Sequence, residues 1–199
     1  MKTFLQPLQN LAEMEELQKL AGKNRGVIAV SGCMESQKAH LMYGLSGLFP
    51  CHLILSEDER SAKQIYEDYR FYDKDVLYYP ARDLLFFQAD IHGNLIIRQR
   101  MQVIKALLTR EEVTVVTSVD GCMDFLGSLE NIKNQLIHFR NDSALDLDKL
   151  KDSLVQMGYE RVGQVEMPGQ FSIRGGIVDI YALTEENPWR IELWGDEID

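Results

Sequence analysis

Two stretches of this sequence carry residue types whose spacing could do chemistry. The first is Gly32-Cys33-Met34-Glu35-Ser36-Gln37-Lys38-Ala39. The spacing GxxxxGK[ST], between a strand and a helix, makes a phosphate loop: backbone N–H groups curl around the phosphates, the lysine neutralises charge and the hydroxyl holds Mg²⁺. Gly32 and Lys38 stand at that spacing. Gln37 occupies the place of the second glycine, where a Cβ resists the tight turn. Ala39 has no hydroxyl for a metal, and Glu35 adds negative charge where phosphates would sit. The loop therefore predicts a phosphate-loop architecture without its chemistry: no catalytic residue, no cofactor, and Lys38 on a solvated helix.

The second stretch runs from Gly158 to the last residue, Asp199. Strand side chains alternate between faces. Phe171, Ile173, Val178, Ile180, Trp189, Ile191 and Leu193 then share an inner face, and Arg174, Asp179, Tyr181, Arg190, Glu192 and Trp194 collect on the outer one. Arginines among large aromatics on an open sheet have the composition of an interface centre. The plain alternative is a solvated face on which Arg174 or Arg190 pairs across strands with Asp179 or Glu192, each pair adding roughly 0.2–1 kcal/mol. From composition alone both readings stand.

Other chemistries find little support. The three cysteines, Cys33, Cys51 and Cys122, are odd in number and widely spaced, which excludes a disulfide framework and a CxxC metal clip. No metal site is expected. The 199 residues carry 21 Lys+Arg against 31 Asp+Glu, a formal charge of −10, which argues against a chain that grips nucleic acid through phosphates. Scattered basic residues, Arg98, Arg100, Lys105 and Arg110, are most simply the solvated side of a helix. With 45% hydrophobic and 26% charged residues the composition is that of a folded globular protein. No apolar run is long enough for a bilayer or a signal peptide, so a cytoplasmic protein without membrane contact is expected.

These residues must be positioned by elements that the hydrophobic pattern predicts. A first amphipathic helix spans residues 6–19 and ends at Gly22. A short buried strand covers residues 26–31, before Gly32 and a helix to about Phe49. Strand 51–56, helix 58–72, strand 75–79, a polar stretch 81–94, helix 95–109 and strand 113–117 follow. Strands alternating with helices in this way imply a parallel sheet covered on both faces. From about residue 120 the texture changes: a short helical or loop segment at 120–129, a strand near 136–140, and a helix 147–157 closed by Gly158. Strands at 159–165, 170–174, 177–181 and 189–194 are separated by Pro168-Gly169, Gly175-Gly176 and Asn187-Pro188, all turn chemistry. The expected class is α/β: a parallel-sheet domain over residues 1–119, then a small α+β domain with an antiparallel sheet over 120–199. The charged run at the end, with no closing helix, suggests a piece of something longer.

The second half resembles a known family. Gly158-Tyr159-x-Arg161, Gly169-x-Phe171-x-x-Arg174-Gly175, Asp179-Ile180-Tyr181 and Arg190-x-Glu192-x-x-Gly195-Asp196-Glu197-Ile198 are similar to the second domain of the UvrB-like modules. These modules occur in the excision-repair protein UvrB and at the amino terminus of the bacterial transcription-repair coupling factors (Mfd). More loosely, the Gly32–Lys38 loop, Tyr78-Tyr79-Pro80 and residues 113–118 follow the same order. The broken phosphate loop, and a stretch after the third strand too short for UvrB's DNA-gripping hairpin, favour the coupling-factor type.

That resemblance implies a degenerate RecA-like (P-loop NTPase-like) first domain and a second domain that binds UvrA. The contact would fall on Arg161, Arg174, Tyr181 and Arg190, with Tyr181 replacing the more usual Phe; Arg161 rests on the resemblance alone. It implies transcription-coupled nucleotide excision repair, with the ATP-driven translocase motor and the contacts to RNA polymerase and DNA carried by parts of the parent outside this chain. The same surface could be covered intramolecularly by a distant domain. The alternative is a UvrB-type nucleotide-binding helicase fragment using Lys38.

Overall fold

The computed structural model describes residues 3–23, 26–82, 90–123, 128–134 and 136–199, with only the backbone for 90–94 and 129. Parts of the expected polar stretch (83–89) and of the expected segment at 120–129 (124–127) lie outside the described residues. The chain packs as two compact units. One comprises Met1–Arg82 with Lys105–Asp124, the other Asp83–Ile104 with Phe125–Asp199.

In the first unit the expected opening helix is broken. A 3-10 turn, Thr3–Leu5, leads into α1 (Gln6–Gln9), and a separate α2 runs over Ala12–Lys23. There follow α3 (Glu35–Leu45), β1 (Cys51–Ser56), α4 (Glu59–Tyr69), β2 (Leu77–Tyr79), the last residues of α5 (Asp90–Thr109), β3 (Val113–Ser118) and α6 (Val119–Met123). Asp58 caps α4 by accepting from the Ser61 N–H at 2.7 Å, which fixes where the helix starts. The sheet order is β1-β3-β2, parallel throughout, with Cys51 opposite Val113 and Leu77 opposite Val115. Central β3 is buried at every position, as a parallel strand with both faces covered should be. Tyr43, Ile54, Ala62, Tyr69, Val76, Tyr78 and Val116 form the core around it.

The strand expected over residues 26–31 is absent: this segment is irregular, with Val27 fully exposed. β-branched composition makes a strand only where a neighbour offers a ladder and a face to cover, and here neither is supplied.

The second unit holds the first fifteen residues of α5, then α7 (Leu129–Asn134), α8 (Leu147–Gln156), β4 (Glu160–Arg161), β5 (Gln170–Arg174), β6 (Ile177–Ile180), β7 (Trp189–Trp194) and β8 (Glu197–Ile198). Their order in the sheet is β4-β5-β6-β7-β8. All neighbours are antiparallel except β4, which pairs parallel with β5, so the sheet is mixed and not purely antiparallel as expected. Helix α8 starts at its cap Asp146, whose carboxylate accepts from the Lys149 N–H, and ends before Gly158 at φ +87. Leu150 and Leu154 of α8 cover Phe171, Val178, Ile180, Ile191 and Ile198. Burying Phe171 and Val178 stabilises the unit by roughly 1.5–3 kcal/mol each.

The predicted strand near 136–140 is irregular, and that of 159–165 shrinks to β4. The basic residues on α5 are not one solvated face. Arg100 is buried, Arg98 lies 3.4 Å from the Glu186 carboxylate, and Arg110 follows the helix end. No helix among the described residues is long and apolar enough to cross a membrane.

Candidate partner-binding face

The register of β5, β6 and β7 decides what the outer face presents. Asp179 of β6 stands between Ser172 and Arg190, and Arg174 lies one row along, opposite Ile177 and level with Glu192. Arg190, directly across from Asp179, donates through Nε to Oδ1 at 2.7 Å and through Nη2 to Oδ2 at 3.0 Å. Arg174, on the diagonal, donates Nη2–H to Oδ2 at 2.7 Å. One buried carboxylate therefore anchors two guanidiniums whose side chains remain 54% and 57% exposed. The hydrogen bonds from Arg190, and then those from Arg174, hold the Asp179 carboxyl below the usual carboxylate range against the opposing effect of burial. Asp179 in turn raises Arg190 above the usual guanidinium value.

The cluster keeps a surplus positive charge. Arg174 and Arg190 are fixed in position, yet each guanidinium has further N–H donors than those spent on Asp179. Such a pair can take carboxylates from a partner in charge-assisted and, where geometry permits, bidentate bonds. Both arginines choose Asp179, and neither forms an ion pair with Glu192.

The other expected site residues are placed differently. Tyr181 follows β6, half-buried, with its hydroxyl donating to the Glu186 carbonyl at 2.6 Å and its N–H to the Gln170 carbonyl. The added hydroxyl thus ties the 181–186 loop. Arg161 is exposed on β4, in the row of Phe171, Ile180 and Trp189. That row belongs to the helix-covered face, so the register separates Arg161 from the Arg174–Arg190 pair. Trp189, counted with the inner face, is 50% exposed at its margin, and Trp194 on the outer face is 87% exposed.

The phosphate-loop residues have other uses here. Gly32 takes φ +85, but α3 begins only at Glu35. The Gln37 side chain turns back to accept the Met34 N–H at 3.2 Å, closing its own helix end. Lys38 pairs with Glu35 at 2.6 Å on the surface, and Ala39 is buried in the core.

At the carboxyl ends of the parallel strands, where open α/β sheets bind their ligands, the chain places its own carboxylate. Glu59 accepts from the Tyr78 hydroxyl and the Ala81 N–H through Oε1, and from the Ser118 hydroxyl at 2.6 Å through Oε2. Burial, and then the bond to Glu59, raise the Tyr78 hydroxyl well above the usual phenol range. Sequence reasoning missed this network. The signal was a glutamate directly after a capping aspartate, with hydroxyls at the ends of β2 and β3. Among the described residues no group of three or more His, Cys, Asp or Glu is arranged to hold a metal, and the three cysteines are free thiols.

Residues 137–199, which contain the whole arginine cluster, match the family described as the UvrB interaction domain. Over 185 residues the chain is 34% identical to the transcription-repair-coupling factor of Bacillus subtilis (strain 168), covering 85% of this chain and 16% of that protein. It is 31% identical over 163 residues to UvrABC system protein B of Thermotoga neapolitana, covering 74% of this chain and 24% of that protein. The coupling factor of Staphylococcus aureus (strain bovine RF122 / ET3-1) is 34% identical over 131 residues, 65% of this chain and 11% of the relative. The chain is thus similar to part of the transcription-repair coupling factors and of UvrB. It spans less than a quarter of the length of these relatives.

Proposed function

We propose that this chain is a non-catalytic interaction module that recruits UvrA to sites of stalled RNA polymerase in transcription-coupled nucleotide excision repair. In this reading residues 1–119 are a degenerate RecA-like domain and residues 120–199 the UvrA-binding domain, acting in the bacterial cytoplasm. The observation that carries it is the arginine pair on Asp179, exposed on an open sheet face inside the residues that match the UvrB interaction domain. Arg174 and Arg190 are the central contacts. Tyr181 and Arg161 are further contacts by family resemblance alone, Arg161 from the edge strand in a row of the other face. ATP hydrolysis and the contacts to RNA polymerase and DNA belong to other parts of the parent protein, and one of these parts covers the same face until UvrA is needed.

The mechanism is electrostatic docking. The paired guanidiniums are held by Asp179 before the partner arrives, so little side-chain freedom is lost on binding, and charge complementarity sets orientation and encounter rate. Calorimetric titration of UvrA tests this. The wild-type chain should bind with an affinity that falls as salt rises. Arg174→Ala and Arg190→Ala should each cost about 2 kcal/mol, roughly thirtyfold. A loss below about threefold at both positions refutes the assignment, and no binding by the folded wild type removes the function.

A further inference from the structure

Beyond Arg190 the outer face changes character. Trp194 is 87% exposed, more than any other aromatic side chain among the described residues. It stands two positions past Glu192 and four past Arg190 on β7, so all three project from one face. Its partner across the ladder is Glu197 of β8, which shares that face. On the other side is the Gly175-Gly176 turn, tied to β7 by the Leu193 N–H donating to the Gly176 carbonyl at 2.7 Å. The turn has no side chains to lean on the indole, and a Cβ at Gly176 would meet the Leu193 carbonyl oxygen at 2.9 Å. The indole is therefore bare on the glycine side, with Glu197 across the ladder on the other and Glu192 before it on its own strand. Neither Glu192 nor Glu197 forms an ion pair among the described residues; both arginines bond Asp179, and Glu192 acts on Arg190 only through its charge.

We propose that the Trp194 end of the face is a second subsite, distinct from the arginine pair, that takes an arginine side chain of the protein partner. The guanidinium would stack on the indole and pair with Glu192 or Glu197. Charge complementarity selects this occupant. An anionic group would face two carboxylates, and an aliphatic one would strip them of water without replacing it. A planar guanidinium is attracted to the indole face and matches a carboxylate with its fork of donors. The net charge of −10 disfavours nucleic acid and anionic lipid as the occupant. The face is thus bipartite: cationic at Arg174 and Arg190, anionic and aromatic at Trp194. A partner must present the reverse pattern, and this fixes its orientation as well as its affinity. The subsite deepens the partner-binding reading and rests on it for the identity of the partner.

Two measurements test it. In the first, the indole N–H signals of ¹⁵N-labelled protein are followed during titration with a short acetylated Gly-Arg-Gly-Arg-Gly amide, and with the same peptide carrying citrulline for arginine. Trp189→Phe assigns the two signals. The Trp194 signal should move saturably with the arginine peptide. It should respond at least tenfold more weakly to the neutral peptide, and in the Glu192→Gln/Glu197→Gln variant. Equal response to both peptides, or no difference in the variant, overturns the proposal. The second measurement is UvrA calorimetry, in which Trp194→Ala should weaken binding about tenfold, 1.4 kcal/mol. Wild-type affinity in Trp194→Ala, alongside collapse in Arg174→Ala, overturns the subsite and leaves the partner-binding reading standing. If the wild type does not bind UvrA, that reading fails, and the peptide titration still decides the subsite.

Discussion

Replacing Asp179 by Asn keeps the side chain's volume and removes the charge that anchors Arg174 and Arg190. Each arginine side chain is more than half exposed, so each ion pair falls in the surface range of about 0.2–1 kcal/mol. The amide adds a second cost. One of its two positions is a donor, and it must face a guanidinium N–H at a residue that is only 8% exposed. A buried polar group left without an acceptor costs about 1–3 kcal/mol. Together these set the expected loss near 2 kcal/mol. Both tryptophans of the chain lie on β7, so selectively excited tryptophan fluorescence reports on this unit. With a urea m-value of roughly 1–2 kcal/mol/M, the midpoint should fall by about 1–2 M. The pH dependence has a definite sign. Asp179 titrates lower in the folded than in the unfolded chain, so its contribution is present above the unfolded value of about 3.9 and is lost as pH falls through the folded one. The gap between wild type and Asp179→Asn should therefore be full near neutrality and close below about pH 4. A midpoint within about 0.2 M of wild type near neutrality, or a gap that persists unchanged in acid, refutes the idea that Asp179 anchors both arginines.

Three further outcomes follow from named contacts. Glu59→Gln should destabilise the first unit by about 1–3 kcal/mol in thermal or urea unfolding, because the amide turns a donor toward the Tyr78 or Ser118 hydroxyl or the Ala81 N–H; hydroxyls that simply reorient would leave stability unchanged. Gly176→Ala should lower stability by about 1–3 kcal/mol, since its Cβ meets the backbone oxygen of Leu193 at 2.9 Å, and an unshifted fluorescence midpoint would contradict that geometry. Lys38→Ala should change stability by less than about 0.5 kcal/mol, because it removes only an exposed helical pair with Glu35. In the same protein, labelled ATP with Mg²⁺ should show no saturable binding, and micromolar binding abolished by this substitution would reinstate the nucleotide-binding alternative.

Much of this was legible in the sequence because it depends on local or periodic signals. Alternation along residues 170–174, 177–181 and 189–194 placed Arg174, Asp179 and Arg190 on one face, and the ladder register keeps them there. Asp58 and Gly158 marked helix ends through the backbone groups they satisfy or release. The defects at Gln37 and Ala39 were visible as missing atoms, and no fold can restore a hydroxyl that the sequence lacks.

What depended on partners distant in the chain was not legible. Residues 26–31 have the composition of a strand, but a strand exists only where another offers hydrogen bonds, and composition does not say whether one will. That Arg174 and Arg190 both choose Asp179 and leave Glu192 unpaired depends on diagonal distances across the sheet. The separation of Arg161 from that pair follows from the parallel register of β4 on β5. The closure of the parallel sheet's ligand edge by Glu59 joins residues 59, 78, 81 and 118. Sequence periodicity thus determined which residues face together, because the period belongs to the local backbone. Which of them touch was decided by tertiary structure alone, since hydrogen bonds and ion pairs act over a few ångströms between strands whose alignment no single segment encodes.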